Sequence, residues 1–208
     1  MRSLNDSHNV AAVPPFGVLG FGSLLIEPGH ELERCIDRRV DVMTPFPIEY
    51  GRYSTKTRGG APTVVRHPRG GPVAAQVLVL KPHLDLTEAS DMLWRRETRS
   101  AAGMRPSATT SVLVQQVRDV GGCSVVLYTD FRSGRIETPS VLELAEAAIK
   151  SVRDASTGKD GITYLDDLIA QGIITPLTYA YRDEILRLTR SATLKDARAR
   201  LLSESKPS

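Results

Sequence analysis

Two parts of this 208-residue chain have the residue types and spacing for chemistry: the run Val18-Leu19-Gly20-Phe21-Gly22-Ser23-Leu24-Leu25, and Glu97. In the first, an apolar segment breaks at a Gly-x-Gly-Ser turn and resumes with Leu24, Leu25 and Ile26. The glycines let the backbone turn sharply and leave its N–H groups uncovered by side chains. A strand entering such a turn gathers several backbone donors around one point, an arrangement suited to a carboxylate or a developing oxyanion. A lone motif of this kind is more often a plain strand-to-loop turn with no ligand.

Glu97 is the complementary group. With Ala89 at zero on a helical wheel, Leu93 falls at about 40° and Glu97 at about 80°, at the edge of an apolar stripe. Met92 and Arg96 lie on the other side of that stripe, while Glu88 and Asp91 point towards solvent. A carboxylate at such an edge is partly desolvated, which equips it for general acid–base work near neutral pH, with Arg95 and Arg96 opposing. Taken alone, a helix glutamate here is more often solvated or ion-paired. Trp94, at about 140° on the same wheel, is expected to pack against a neighbouring element.

Other chemistries find less support. His8, His30, His67 and His83 are far apart and read as surface or supporting residues, so no metal site is expected. Ser23 lacks the G-x-S-x-G context of a hydrolase nucleophile. The net charge of +3 comes from 27 basic and 24 acidic residues without a basic block, which argues against a nucleic-acid partner. No run of about 18 apolar residues occurs, so no membrane span is expected. Residues 1–15 are polar and lack the apolar core of a secretory signal; they read as a flexible leader on a cytoplasmic protein. Cys35 and Cys123 are expected to stay reduced in that compartment.

The elements that must position these groups follow from periodicity and breakers. Phe16–Phe21 reads as a buried strand entering the glycine turn. Val40–Tyr53 is extended but interrupted by Pro45 and Pro47. Thr63–Arg66 and Val73–Leu80 flank the turn signal Pro68-Arg69-Gly70-Gly71-Pro72. The second is almost continuously apolar, as a central strand covered on both faces should be. A helix starts at Leu86-Thr87-Glu88 with Thr87 as its N-cap and stops near Gly103. Strands over Ala108–Val117 and Cys123–Phe131 form a hairpin at Gly121-Gly122. Ser140 caps a helix over Val141–Val152, a polar break spans 154–161, and Tyr164–Gln171 and Thr178–Arg190 are amphipathic helices. Lys206-Pro207-Ser208 is a frayed end. Composition, with 41% apolar and 25% charged residues, fits one α+β domain over residues 16–190, with 191–208 a C-terminal helix and tail.

Taken together, Gly20-Phe21-Gly22-Ser23-Leu24-Leu25 and Trp94-Arg95-Arg96-Glu97 resemble the γ-glutamylcyclotransferase superfamily, most closely its ChaC branch. Arg58-Gly59-Gly60-Ala61-Pro62 is similar to the family's R-G-T-P segment. Val73–Leu80, Val125-Val126-Leu127-Tyr128 and Gly158–Leu168 with Tyr164-Leu165 are similar to further family stretches. The chain departs at Phe21, where the family usually has Tyr, and at Gly134-Arg135-Ile136-Glu137-Thr138-Pro139, so the rim beneath Tyr128 is expected to differ.

The resemblance implies a mixed β-barrel or sheet with a catalytic helix and appended C-terminal helices. It also implies cofactor-independent lyase or acyltransferase chemistry on a small γ-glutamyl compound. The substrate's α-amine attacks its γ-carbonyl, releasing 5-oxoproline and an amine or peptide, with glutathione the first substrate to expect. Glu97 would be the acid–base, and Leu19, Gly20, Phe21, Gly22, Ser23, Leu24 and Leu25 would hold substrate. Tyr128 is a further candidate donor, although a buried strand tyrosine is more often core. Arg58 is a candidate for holding a carboxylate, although a loop arginine is usually solvated. The same chemistry on a γ-glutamylated metabolic intermediate, or a non-catalytic small-molecule-binding domain, are the alternatives. A homodimer is left open.

Overall fold

A computed structural model of the chain describes residues 15–155 and 158–204. The expected leader up to residue 14, residues 156 and 157 of the polar break and the Lys206-Pro207-Ser208 end lie outside that range. The described chain runs β1 (Phe16–Gly20), α1 (Ser23–Ile26), α2 (His30–Glu33), β2 (Ile36–Met43), β3 (Ile48–Ser54), α3 (Thr55–Arg58) and β4 (Ala61–Arg66). It continues through β5 (Ala74–Leu80), α4 (Leu86–Thr98), β6 (Val112–Val120) and β7 (Cys123–Phe131). Four helices follow: α5 (Val141–Asp154), α6 (Gly161–Ala170), α7 (Thr178–Thr189) and α8 (Leu194–Glu204).

Strand order in the five-stranded sheet is β2-β5-β1-β7-β6, and β3 and β4 form a separate antiparallel pair. β5 runs antiparallel to both β1 and β2, and β1 runs parallel to β7. Both sheets are open, so of the expected barrel-or-sheet it is the sheet that is built. The Pro45-containing corner explains why Val40–Tyr53 is not one element. Proline cannot donate to a ladder, and the chain there leaves the large sheet for the small one. The β6–β7 hairpin turns at Gly121 and Gly122, with Val120 facing Cys123.

Side-chain alternation sorts the core into two layers. Leu19, Val77, Val79, Val126 and Tyr128 face one side, packed with residues of β3, β4 and α5 to α8. Val18, Leu78, Leu80 and Leu127 face the other, packed with Leu24, Leu32, Ala89, Met92 and Leu93. β5 supplies buried residues to both layers, which is why its sequence shows no polar face. Leu194, Ala197 and Leu201 of α8 belong to the first layer.

The helix that carries Glu97 begins two residues earlier than a Thr87 cap would set it. Asp85 is the N-cap, its carboxylate accepting from the Glu88 N–H at 2.7 Å. The helix ends at Thr98 rather than near Gly103, because Arg99 adopts a left-handed conformation with φ 56°. Ser140 occupies the cap position of α5 without a side-chain cap bond. In α6 the cap is Asp160, which accepts from the Thr163 N–H and is held by Arg198. No described helix is long and apolar enough to cross a membrane.

Candidate active site

The β1–β7 ladder ends at Val18 and Leu127. Beyond it β1 stays paired to β5 through Leu19 and Gly20, while β7 continues beside β6 as far as Phe131. At this end lies a cleft of about 650 Å³, walled by β1, the α1 turn, β3, α3, the end of α4, and β7.

Gly22 begins the turn with φ 61°, a conformation that residues with a Cβ rarely adopt. A Cβ there would also lie 2.9 Å from the Tyr164 hydroxyl. The position therefore needs glycine twice over, for its dihedral and for the tyrosine packed on it. The turn enters α1, where the N–H groups of Ser23 and Leu24 have no intrahelical acceptor. Leu25 does not join that set, since its N–H donates to the Gly22 carbonyl at 3.2 Å.

Glu97 stands on the last turn of α4, its side chain 15% exposed. Arg96 donates from Nη1 to Glu97 Oε1 at 2.6 Å, and from Nε and Nη2 to the Glu27 carbonyl at the end of α1. Arg96 Nη2 also reaches Ser23 Oγ at 3.4 Å. One guanidinium thus touches both the carboxylate and the glycine turn. Arg95 is turned away from them, buried against Glu31 and the Met104 carbonyl. The stripe of Ala89, Met92 and Leu93 is buried as the wheel predicts, and Trp94 is buried with its Nε1 donating to Thr110. Asp91 is a correction, because it is only 15% exposed, beside Arg105.

Of the residues proposed from sequence, Leu19, Phe21, Ser23, Leu24, Arg58 and Glu97 line the cleft. Gly20, Gly22 and Leu25 shape the turn behind that lining. Tyr128 is not brought there. It is buried against Phe46 with ring centroids 4.6 Å apart, and its hydroxyl accepts from Arg66. On β7 it is Thr129 and Phe131, on the opposite face from Tyr128, that line the cleft. Arg58 lies 4.4 Å over the Tyr164 ring and donates to the Lys159 carbonyl. His67 is a core residue, contrary to the surface reading, with Nδ1 accepting from the Arg69 N–H and Nε2 facing the Ile136 carbonyl. Among the described residues no group of three or more His, Cys, Asp or Glu is placed to hold a metal ion.

Two further cleft residues were not read as site residues from the sequence. Tyr164 is buried on α6, and its hydroxyl accepts from the Val64 N–H at 3.4 Å. Burial pushes its phenol up, with the Arg58 charge pulling the other way and Glu97 adding to the rise. Arg52, on β3, stacks over Phe131 at 4.1 Å, and its buried Nε has no partner among the described residues. Burial lowers its guanidinium and the nearby charge of Glu97 opposes that. An unpaired buried N–H costs about 1–3 kcal/mol. A bulge between Tyr50 and Arg52 sets this register, a signal no sequence pattern carries.

No model of a known protein family matches the chain, and no curated protein sequence matches it either. Among solved structures, a yeast γ-glutamyl cyclotransferase specific to glutathione is similar in fold, with a TM-score of 0.54. Identity is 14%, over 84% of this chain and 99% of that one. The chain has the α+β fold of a γ-glutamyl cyclotransferase.

Proposed function

We propose that the protein is a γ-glutamyl cyclotransferase. The observation that carries this reading is the Arg96 bridge, which joins the Glu97 carboxylate to the Gly22-Ser23 turn at one cleft. A γ-glutamyl head group held by the turn's free N–H groups would present its α-amine and γ-carbonyl to Glu97. Glu97 takes a proton from the α-ammonium, and the freed amine attacks the γ-carbonyl. The new C–N bond closes a five-membered ring. As the tetrahedral intermediate collapses, the old C–N bond breaks, Glu97 returns its proton to the leaving nitrogen, and the ring nitrogen gives up its second proton, so that the amine departs as an ammonium. The products are 5-oxoproline and the released amine. The ring closure needs no enzyme nucleophile, and holding the substrate folded supplies much of the rate. The carboxylate supplies the proton transfers.

Glutathione is the first substrate to try, because the structural neighbour is specific to it. The test is release of 5-oxoproline from a panel of γ-glutamyl peptides, amino acids and amines. Turnover is expected with the unaltered chain and is expected to fall about 10²–10⁴-fold in Glu97→Gln. Tight binding of a panel member with no turnover would favour a binding domain instead, and full activity in Glu97→Gln would remove the assignment.

A further inference from the structure

One cation of the cleft has no side-chain hydrogen bond or ion pair among the described residues. Of its basic wall, Arg95 is paired with Glu31, Arg96 with Glu97 and Lys159 with Glu27. Arg58 donates to the Lys159 carbonyl, and Lys56 and Arg99 are exposed. Arg52 alone is part-buried in the wall with no acid or carbonyl partner among the described residues. Its guanidinium is stacked on one side, and Gly134 leaves room beside its stem. The Phe131 ring lies against that side, and at Gly134 an added Cβ would come within 3.6 Å of Arg52 Cγ. Only Nε is wholly closed off, so the Nη groups remain available at the cleft. Ser111, Thr129 and Ser133 add hydroxyls to the same wall.

A planar fork fixed by stacking is matched to a carboxylate, which it can grip bidentately. On the cyclotransferase reading the head group's α-carboxylate would go to the N–H groups and hydroxyl at the start of α1, which leaves Arg52 for another group. The packing neighbours of Arg52 come from β7 and the 133–134 segment, none of them part of the glycine turn. The 134–139 segment, where the chain departs from the cyclotransferase pattern, touches both groups: Gly134 lies beside Arg52, and Ile136 shares a core layer with Tyr128.

We propose that Arg52 is the specificity residue for the leaving group, clamping a carboxylate carried by the amine that is expelled. The preferred substrates are then γ-glutamyl amino acids or peptides, ahead of neutral γ-glutamyl amines. This inference rests on the cyclotransferase reading.

The test compares 5-oxoproline release from γ-glutamyl-alanine and from γ-glutamyl-alaninamide, which differ only in that carboxylate. The unaltered chain is expected to favour the acid. In Arg52→Gln the ratio of kcat/KM between acid and amide is expected to fall about ten- to hundredfold, mostly through KM. Arg52→Lys, which keeps the charge and loses the fork, should fall between the two and serves if the glutamine variant does not fold. A starting ratio near one would overturn the inference. So would an equal loss on both substrates in the variants, which would place Arg52 on the head group or in the fold alone. Absence of 5-oxoproline from every γ-glutamyl compound overturns the cyclotransferase reading instead, and this inference with it.

Discussion

Glu49 and Glu97 are both carboxylates set into packed structure, and their surroundings differ in kind. Glu49, on β3, is fully buried, and both of its oxygens are claimed. Oε1 accepts from the Tyr50 N–H and the Thr175 hydroxyl, and Oε2 from the Leu177 N–H. All three donors are uncharged, and together they fasten β3 to the start of α7. Glu97 sits at a cleft wall with one oxygen paired to a cation and Oε2 without a protein partner among the described residues. A satisfied buried carboxylate holds a fold together. A half-satisfied one facing open volume has capacity left for a ligand or a proton.

The largest expected difference between the two is in turnover. Glu97→Gln should lower kcat by about 10²–10⁴-fold while the unfolding midpoint barely moves. Glu49→Gln should do the reverse, because its amide nitrogen cannot accept from the Leu177 N–H and leaves a buried donor unpaired, at about 1–3 kcal/mol. Measuring both variants by 5-oxoproline release and urea unfolding tests the contrast directly. If Glu49→Gln lost as much activity as Glu97→Gln, the division between them would be gone.

Gly22→Ala comes next in size. It forces a side chain into a positive φ and against the Tyr164 hydroxyl, a strain of about 1–3 kcal/mol. Loss of turnover should accompany it, since the turn that faces Glu97 must shift. Unchanged stability and activity would show that the turn is not held as tightly as its packing indicates.

A smaller effect depends on pH. Burial pushes the Glu49 carboxyl above its ordinary value of about 4.5, with the Thr175 hydroxyl and the two N–H donors pulling it down. A carboxyl raised in the folded state contributes stability that is fully present below the unfolded value and lost as pH rises through the folded one. The stability gap between the unaltered chain and Glu49→Gln should therefore be wider at pH 4 than at pH 7. Urea titrations at the two values check the sign, and a gap that widens with rising pH contradicts it.

Tyr128→Phe should do least. It removes one bond from Arg66, costs about 0.5–1.5 kcal/mol, and leaves kcat/KM ratios between substrates as they were. A change in those ratios would return Tyr128 to the cleft.

Much of the scaffold could be read from local pattern. The apolar run at Val73–Leu80, the hairpin at Gly121-Gly122 and the stripe of Ala89, Met92 and Leu93 each express a period or a dihedral requirement within a few residues. So does the Gly-x-Gly-Ser turn, because its constraint is a backbone angle at Gly22. Cap positions were less legible. Asp85 and Thr87 are both good capping types, and only the course of the preceding chain decides which carboxylate or hydroxyl reaches the free N–H groups.

The pairings that make the site lie beyond local pattern. Arg96 meets Ser23 across 73 residues, and Arg58 at the end of α3 meets the Tyr164 ring on α6. Arg52 follows a bulge in β3 and lies over the Phe131 ring, with its buried Nε unpaired among the described residues. Periodicity tells which face of an element is buried, since that depends on the element alone. Which charges end up neutralised depends on what other elements bring to the same place, and at this cleft the packing joined Glu97 to the turn and withheld a partner from Arg52.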